Sequence, residues 1–300
     1  PVNVLERILE TKRGEIAERK SATPMGRLLD GAPESAPRPL SEALGADSLN
    51  VIAELKYRSP SHGPFACQDP PARVARAYAR AGAAALSILT DEEYFHGRLG
   101  YLDEVRELMS RRWAISDDEP DSEDSLEDWR DRHLPLLRKD FILDRYQVAE
   151  ARAHGASAFL LIVACLSPGD LAGLREYGED LGMEALVEIH DLFELDRALE
   201  SGARIIGVNN RNLRDFSVNI ETSFEIARRL EGETSPILVA ESGLSTKSQL
   251  VELKDAGFAG FLIGTTFMDS ASPGAALATL LEGRAGEPVC SETEAGDSMA

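Results

Sequence analysis

One pattern recurs along the middle and end of this chain: a helical segment ends in glycine, and an apolar run of strand length follows. Glycine ends a helix without steric penalty because it adopts the left-handed conformation freely. The pairs are Gly82 with Ala85–Leu89, Gly155 with Ala158–Val163, Gly182 with Ala185–Ile189, Gly202 with Ile205–Val208, and Gly257 with Gly260–Ile263. The runs are continuously apolar, which is typical of parallel strands covered on both faces. The repeat therefore predicts a series of βα units.

Three further apolar runs bring the number of predicted strands to eight. They are Val51–Leu55, Leu136–Leu137 leading into Arg138 and Lys139, and Ile237–Ala240. Successive strands begin roughly 20–35 residues apart, with one exception, and such spacings are ordinary for βα units. The chain has 300 residues, and a barrel of eight βα units takes about 250. We therefore predict the α/β class and a single (β/α)8 TIM barrel.

The exception is the gap between the second and third predicted strands, which holds an acidic insertion. Its centre, Asp117–Asp128, is too charged and too poor in apolar residues to bury a core. We predict a flexible insertion over about 112–133, before strand three. Because it follows the helix after strand two, we expect it on the amino-terminal face of the barrel, away from the chemistry.

The two ends of the chain lie outside the repeating units. Near the amino terminus, apolar residues have helical spacing: Val4, Leu5, Ile8, Leu9 and Ile16. This spacing predicts an extra helix over about 2–20 that packs against the barrel. Pro273–Glu282 can form the last barrel helix, and the polar segment 284–300 is predicted to be a disordered tail. The predicted domain is one barrel over residues 1–283.

Composition narrows the classes of partner. Lys and Arg number 32 against 52 Asp and Glu, a net charge of −20, which disfavours nucleic acid because phosphate backbones need a basic surface. A small anionic substrate needs only a few local cations. No apolar run approaches about 18–20 residues, so we expect no membrane span. The three cysteines and five histidines lack metal-ligand spacing, and the amino terminus lacks a signal-peptide pattern. We therefore predict a cytoplasmic protein without a metal site.

Polar residues collect at the predicted carboxyl ends of the strands, where barrel enzymes build their active sites. In strand order they are Glu54 and Lys56; Asp91; Lys139; Glu188; Asn209 and Arg211; Glu241, Ser242 and Gly243; and Gly264 with Thr265. One such residue is readily explained as a solvated strand end or a structural ion pair. Buried charges cost free energy unless they are paired, so convergence of this many on one rim favours an active site.

The residue types suggest specific uses. A lysine beside another cation in a closed site is expected to have a lowered pKa and to donate a proton near neutrality. Gly243, Gly264 and Thr265 follow strands seven and eight, where barrels commonly bind phosphate through loop amides and a helix amino terminus. Simple turn glycines are the alternative. The hydroxyl-rich loop Ser59–Gly63 is either a plain connector or a lid over an anionic substrate.

Six stretches, in order along the chain and each at a predicted strand end, resemble signature sequences of the indole-3-glycerol-phosphate synthase family. They are Ile52–Ser61, Ser87–Phe95, Leu137–Ile142, Val187–Asp191, Gly207–Leu213 and Ala240–Gly243. The similarity runs from the amino-terminal helix to about Met268. Two departures are the acidic insertion and Thr265, which replaces a usual serine and keeps its hydroxyl.

The resemblance implies a lyase of tryptophan biosynthesis that needs no cofactor. The family converts 1-(2-carboxyphenylamino)-1-deoxyribulose 5-phosphate to indole-3-glycerol phosphate, releasing carbon dioxide and water. Lys139 would be the general acid for ring closure, and Glu188 the other acid or base, acting in dehydration. Lys56 would pair with the substrate carboxylate or phosphate and assist proton transfer. Glu54 would hold Lys139 or Lys56.

The resemblance also implies the residues that bind substrate. Phe95 and Phe141 would form an apolar slot for the aromatic ring. The implied polar set consists of Asn209, Glu241, Arg211 and Ser242 for orientation, and Ser59, Gly243, Gly264 and Thr265 for phosphate or carboxylate contacts.

Two alternatives stay open. Another phosphate-binding barrel enzyme, such as phosphoribosylanthranilate isomerase, would leave Lys56, Lys139 and Glu188 together unexplained. A catalytically silent barrel scaffold would be marked by a lost catalytic lysine, and both lysines are present. We expect a monomer acting on a small phosphorylated substrate, with transient contact with other tryptophan-pathway enzymes as an open question.

Overall fold

The computed structural model describes residues 4–33, 38–110, 133–213, 215–232 and 236–283. Within them, eight parallel strands close into a barrel, in which each strand pairs with the next and the last pairs with the first. The strands are β1 (Val51–Leu55), β2 (Ala85–Leu89), β3 (Leu136–Lys139), β4 (Ala158–Ile162), β5 (Glu184–Ile189), β6 (Ile205–Asn209), β7 (Ile237–Glu241) and β8 (Phe258–Ile263). The predicted (β/α)8 barrel is confirmed.

Helices surround this barrel and close its lower end. They are α1 (Val4–Ala22), α2 (Met25–Asp30), α3 (Leu40–Leu44), α4 (Pro71–Arg80), α5 (Gly100–Ser110), α6 (Arg145–Ala153), α7 (Pro168–Asp180), α8 (Leu192–Glu200), α9 (Glu221–Arg229), α10 (Lys247–Asp255), α11 (Thr265–Met268) and α12 (Pro273–Glu282). The predicted amino-terminal helix is present as α1. The five glycines predicted to end helices have φ between 75° and 104°, as that role requires.

Some strand boundaries differ from the predicted ones. β4 ends at Ile162 because Val163–Cys165 turn into a short 3-10 helix. β8 begins two residues before Gly260, and its pairing with β7 shifts register between Phe258 and Gly260. β3, β6 and β7 each extend to a polar residue at the carboxyl end. The strand pleat therefore sets the direction of these end residues.

The odd-numbered strands build the barrel interior in two levels. Ile52, Leu137, Leu186 and Val239 belong to one buried apolar cluster. Two residues further along each of these strands come Glu54, Lys139, Glu188 and Glu241. Side chains two residues apart on a strand point the same way, so a charged layer lies directly above an apolar one. The four members of a barrel layer come from alternate strands, as this fold requires.

The lower mouth of the barrel is closed by α3. Leu40 and Leu44 are buried in the same apolar cluster as the interior of the barrel. The first turn of α3 is held by Glu184, which accepts hydrogen bonds from the Ser41 backbone N–H at 2.8 Å and hydroxyl at 2.6 Å. In the part of the chain that the structure describes, α3 thus blocks the lower mouth, and a ligand would enter through the upper one.

Two predicted segments fall outside the described residues: the core of the acidic insertion, 111–132, and the tail, 284–300. Described structure stops at the end of α5 and resumes just before β3, and both of these points lie on the amino-terminal face of the barrel. Among the described helices, none combines the length and apolar character needed to cross a membrane.

Candidate active site

A cavity of about 330 Å³ opens at the carboxyl end of the barrel. Of the polar strand-end residues, Asp91 does not line it, because its carboxylate instead pairs with Lys12 of α1. The other predicted site residues all line it: Glu54, Lys56, Ser59, Phe95, Lys139, Phe141, Glu188, Asn209, Arg211, Glu241, Ser242, Gly243, Gly264 and Thr265. The structure thus brings together residues from all eight strands, and β4, for which no site residue was predicted, contributes the apolar side chains of Leu160 and Ile162.

Five charged side chains form the floor of the cavity, and we call Glu54, Lys56, Lys139, Glu188 and Glu241 the interior cluster. Lys139 Nζ lies 2.7 Å from Glu188 Oε2 and 3.1 Å from Glu241 Oε2. Lys56 Nζ lies 2.8 Å from Glu54 Oε1 and 5.3 Å from the centre of the Phe65 ring. Both lysines are mostly buried, so the cluster holds its charges where water screens them weakly.

The expectation that a site lysine has a lowered pKa is wrong for Lys139. Burial alone would lower the pKa of Lys139, but the negative charges of Glu188, Glu241 and Glu54 outweigh it and raise that pKa above its ordinary value. The neighbours of Lys139 are carboxylates rather than a second cation, which reverses the sign of the shift. Lys139 therefore holds its proton firmly until a stronger base approaches.

Of the three glutamates in the interior cluster, Glu188 has the most polar partners among the described residues. Its Oε1 accepts a hydrogen bond from Asn209 Nδ2 at 3.1 Å and lies 3.3 Å from His190 Nε2. Burial opposes ionisation, but Lys139 and His190 together lower the pKa of Glu188. Burial also opposes the charge of His190, yet Glu188 and Glu194 raise the pKa of this imidazole to about 10. Glu188 is therefore an ionised base, supported from behind by His190.

Glu241 contacts the same lysine as Glu188 but differs from it in hydrogen bonding and in pKa. Its Oε1 is buried and has no hydrogen-bond partner among the described residues. Burial, with the nearby charges of Glu188 and Glu54, raises the pKa of Glu241 to about 7 despite the opposing effect of Lys139. The two carboxylates on Lys139 thus differ in basicity, which is the arrangement that acid–base catalysis exploits.

Gly207 makes room for Glu241, a role that was not predicted from the sequence. A Cβ atom on Gly207 would lie 2.1 Å from Glu241 Oε1. A glycine inside a strand often marks such a close approach, so its place in the middle of the sixth strand was the available signal. Gly264 has a similar relation to Glu54, whose Oε1 would lie 2.5 Å from an added Cβ.

Aromatic and aliphatic side chains form one wall of the cavity. The rings of Phe95, after β2, and Phe141, after β3, have centroids 6.1 Å apart and planes tilted by 42°. Leu5 and Ile8 of α1 line the same cavity. We call Phe95 and Phe141 the aromatic slot. The helical spacing of its apolar residues predicts that α1 packs against the barrel, but this spacing does not show that α1 contributes to the cavity.

The loops after β7 and β8 form the opposite wall. Ser242 and Gly243 both have left-handed backbone, with φ of 67° and 76°. Thr266 Oγ1 donates a hydrogen bond to the Leu244 carbonyl at 2.9 Å, which joins the two loops. β7 is four strands from β3 in the closed barrel, so this wall faces the aromatic slot across the mouth.

Two further segments border the mouth. Arg58–Ser59 and Gly63–Pro64 pair as a short antiparallel hairpin after β1, so the loop predicted as a connector or lid has regular structure, with Ser59 buried. After β6, Arg211 Nη1 donates to the Phe216 carbonyl at 3.0 Å. Burial lowers the pKa of Arg211. Leu213 and Phe216 in this loop also line the cavity and were not predicted.

The described residues offer no candidate metal ligands, since no group of three or more His, Cys, Asp or Glu side chains among them is arranged to hold an ion. What the cavity does offer is proton chemistry. It holds a charged lysine, an ionised glutamate and a glutamate that titrates near neutrality. A ligand with an apolar ring at one end and an anionic group at the other would lie across the interior cluster, with one end at each wall of the cavity.

Comparison with known proteins agrees with this geometry. The family model described as indole-3-glycerol phosphate synthase matches residues 5–280. A protein named indole-3-glycerol phosphate synthase from Laribacter hongkongensis is 40% identical, with 93% of this chain and 98% of that protein covered. One of the same name from Roseiflexus castenholzii is 43% identical, with 87% of this chain and 91% of that protein covered.

Solved structures show the same fold at much lower identity. Thiamine phosphate pyrophosphorylase from Pyrococcus furiosus matches with a TM-score of 0.54 and 15% identity, covering 78% of this chain and 94% of that one. A 3-hexulose-6-phosphate synthase matches with a TM-score of 0.54 and 10% identity, covering 78% and 99%. These two likenesses concern the barrel alone. The sequence match over nearly the whole chain goes further: the chain belongs to the indole-3-glycerol phosphate synthase family.

Proposed function

We propose that this chain converts 1-(2-carboxyphenylamino)-1-deoxyribulose 5-phosphate to indole-3-glycerol phosphate, with release of carbon dioxide and water. Membership of the family supports this reaction. The observation that carries it at atomic level is Lys139, held between Glu188 and Glu241 on the floor of the cavity. Ring closure needs an acid at the substrate carbonyl, and dehydration needs both an acid and a base.

The two walls of the cavity suggest how the substrate lies. The aromatic ring would pack against the wall that Phe95 and Phe141 form, and the phosphate would lie against the opposite wall. Gly243, Gly264 and Thr265 would bind the phosphate there, with Ser59, Arg211 and Ser242 as further polar contacts. Asn209 and Glu241 would orient the sugar chain between the walls. This placement puts the ribulose carbonyl over Lys139, and such positioning supplies much of the rate enhancement in a bond-forming step.

Ring closure follows from the charge of Lys139. The ring carbon that bears the carboxylate attacks the carbonyl carbon, and the carbonyl oxygen takes a proton from Lys139 as the new carbon–carbon bond forms. An alkoxide is a much stronger base than an amine, so this transfer is favourable even though the pKa of Lys139 is raised. The carboxylate then leaves as carbon dioxide, and its bonding electrons restore the aromatic ring. The apolar surroundings favour this loss of a charged group.

Dehydration needs the second half of the cluster. Glu188 would remove a proton from the adjacent carbon while the new hydroxyl leaves as water, which forms the indole double bond. Lys56 would pair with the substrate carboxylate until decarboxylation and would then assist protonation of the leaving hydroxyl, and Glu54 would hold Lys56, which lies 2.8 Å away. The steps are proton transfers and a decarboxylation, chemistry that requires no redox cofactor. We propose further that the enzyme acts as a cytoplasmic monomer.

The reaction is tested by incubating the purified chain with the anthranilate-derived ribulose phosphate and following the appearance of indole fluorescence. We expect turnover in the usual enzymatic range of about 1–1,000 per second or not far below it. Absence of turnover in a protein with a cooperative unfolding transition would reject the proposed function. Activity with phosphoribosylanthranilate instead would favour the isomerase alternative.

A further inference from the structure

A second group of buried charges lies outside the barrel, between α1 and the ends of β2 and β3. We call Lys12, Asp91, Arg138, Asp140 and Glu150 the exterior cluster. Lys12 is 1% exposed, although it lies on the apolar stripe of α1 between Ile8 and Ile16. Its Nζ lies 2.8 Å from Asp91 Oδ2 and 3.0 Å from Asp140 Oδ1. One ammonium group thus bridges the ends of two neighbouring strands.

Each of these two aspartates also holds one half of the aromatic slot. Asp91 Oδ1 accepts hydrogen bonds from the backbone N–H of Tyr94 at 2.8 Å and of Phe95 at 3.2 Å. Asp140 Oδ1 accepts from the backbone N–H of Phe141 at 2.8 Å. The same oxygen of Asp140 therefore contacts both Lys12 and the Phe141 backbone. The distance between the two aromatic residues depends on how far apart these carboxylates are held.

We propose that Lys12 is a positioning residue, which sets the spacing of Phe95 and Phe141 by holding Asp91 and Asp140 together. This inference rests on the proposed function, because the slot is assigned there to the aromatic ring of the substrate. Lys12 does not touch the substrate. It acts through carboxylates that are themselves buried, and support of this kind decides whether a binding site is held to the required precision.

The electrostatics explain why a cation is needed at this point. Asp91 and Asp140 are neighbours on adjacent strand ends, and both are almost completely buried. Two buried carboxylates repel each other unless a cation compensates them. Arg138 forms an ion pair with Asp140 at 3.1 Å, but the cation that bridges Asp140 to Asp91 is Lys12. Without it, the carboxylates are expected to move apart and to carry the backbone of Phe95 and Phe141 with them.

The position of Lys12 also couples the seating of α1 to the site. Leu5 and Ile8 line the cavity two turns and one turn before Lys12, respectively, and Thr11 Oγ1 lies 2.9 Å from the Tyr94 hydroxyl. The slot is therefore complete only when α1 is docked with its lysine between the two aspartates.

The test compares Lys12→Met with Ile16→Ala, a matched change one turn further along the buried face of α1. Both variants weaken the docking of α1, but only the first removes the bridge. We expect Lys12→Met to raise KM for the ribulose phosphate substrate about tenfold or more, with a smaller fall in kcat, because the slot supplies uniform binding. Ile16→Ala should lower the melting temperature and leave KM within about twofold of the parent value.

A double variant keeps the test decisive if Lys12→Met does not fold. Lys12→Met with Asp91→Asn removes one cation and one carboxylate together, so the net charge of the cluster is unchanged, and KM should again rise. An unchanged KM in a folded Lys12 variant, or an equal rise in Ile16→Ala, would overturn the inference. Loss of turnover in the parent protein would instead reject the proposed function, so the two failures are distinguishable.

Discussion

The interior and exterior clusters meet at the end of β3, where consecutive residues belong alternately to one cluster and the other. Lys139 points into the barrel toward Glu188 and Glu241, whereas Arg138 and Asp140 point outward. Both clusters are buried, and both contain more than one carboxylate. They differ in what surrounds them: the interior cluster forms the floor of the cavity, whereas the exterior cluster packs against α1 and α6, and of its members Asp140 also lines the cavity. Because successive side chains of a strand point to opposite faces, adjacent residues of β3 serve the active site and the packing of the outer helices.

The two clusters treat their carboxylates in opposite ways. In the exterior cluster, burial opposes the charge of Asp140, but Lys12 and Arg138 lower its pKa far below the ordinary value. In the interior cluster, burial raises the pKa of Glu241 to about 7, and its Oε1 lacks a hydrogen-bond partner among the described residues. The exterior cluster pairs both of its aspartates with Lys12, whereas the interior cluster keeps a carboxylate oxygen that a substrate can use.

The sign of the stability contribution follows from each pKa. The pKa of Asp140 is lower in the folded than in the unfolded state, so this group stabilises the fold above its ordinary titration range and loses that effect as the pH falls. The pKa of Glu241 rises from 4.5 to about 7 on folding. Its contribution is therefore fully present below pH 4.5 and is lost as the pH rises through about 7. The exterior cluster thus adds stability at neutral pH, and Glu241 reduces it.

The largest effect is expected when the interior base is removed. Glu188→Gln preserves shape but cannot accept the proton in dehydration, and loss of an acid–base group typically costs about 100- to 10,000-fold in rate. We expect kcat to fall by about a thousandfold, measured by indole fluorescence. Glu184→Gln is the matched control, because Glu184 begins the same strand at the amino-terminal end of the barrel, away from the cavity. An equal loss in both variants would mean that β5 is merely perturbed.

Removing the exterior cation next to Lys139 should instead reduce stability. Arg138 is completely buried and contacts Asp140, Glu150 and the Gln147 carbonyl. Arg138→Met leaves these acceptors uncompensated, and breaking a buried pair costs about 3–5 kcal/mol in free energy of unfolding. Denaturant unfolding measures this loss.

The control for this prediction is Arg204→Met, since Arg204 is 68% exposed in its ion pair with Glu179. Exposed ion pairs contribute about 0–1 kcal/mol, so this variant should be nearly as stable as the parent. The folded Arg138→Met protein should retain kcat within about threefold, a small change in transition-state energy. A thousandfold loss of kcat in the folded Arg138→Met protein would contradict the proposal that the exterior cluster stabilises the fold and the interior cluster performs catalysis.

Glu241 provides a smaller effect with a defined pH dependence. Glutamine does not titrate, so Glu241→Gln should remove the loss of stability that this group causes between pH 5 and pH 8. From the pKa of about 7, we expect the fall in unfolding free energy over this range to shrink by about 2 kcal/mol. Unfolding at several pH values measures it, with exposed Glu200→Gln as the control. An unchanged profile would show that Glu241 does not have a raised pKa.

Deletion of the acidic insertion should have the smallest effect. We expect removal of Asp117–Asp128 to affect neither cluster, because the described chain leaves α5 and enters β3 on the face opposite the cavity. We expect kcat to stay within about twofold of the parent value, measured in the same assay. A large loss would mean that this segment reaches the active face.

The sequence allowed much of the fold to be predicted, because barrel strands are continuously apolar and their polar residues cluster at one end. The glycines before each strand marked the helix ends, and the order of strand-end residues indicated which side chains converge. The predicted site residues consequently line the cavity, with the exception of Asp91. Strand ends shifted by one or two residues where polar side chains such as Asn209 and Glu241 still pair within the sheet.

What could not be predicted depends on distances across the barrel. The raised pKa of Lys139 requires knowing that three carboxylates surround it, and spacing along the chain does not show that. Lys12 was overlooked because a lysine on an amphipathic helix usually lies at the surface. Its position midway between Ile8 and Ile16 was the one signal that it faces the barrel, and its two aspartates are distant in sequence.

The central claim is that Lys139 carries the chemistry of the interior cluster. The most direct measurement is the turnover of Lys139→Ala at saturating substrate, together with the affinity of this variant for the same substrate under conditions where no product forms. Our account predicts a loss of kcat of about a thousandfold or more, with affinity changed by no more than about tenfold. Turnover comparable to that of the parent protein would contradict it and place the essential acid elsewhere.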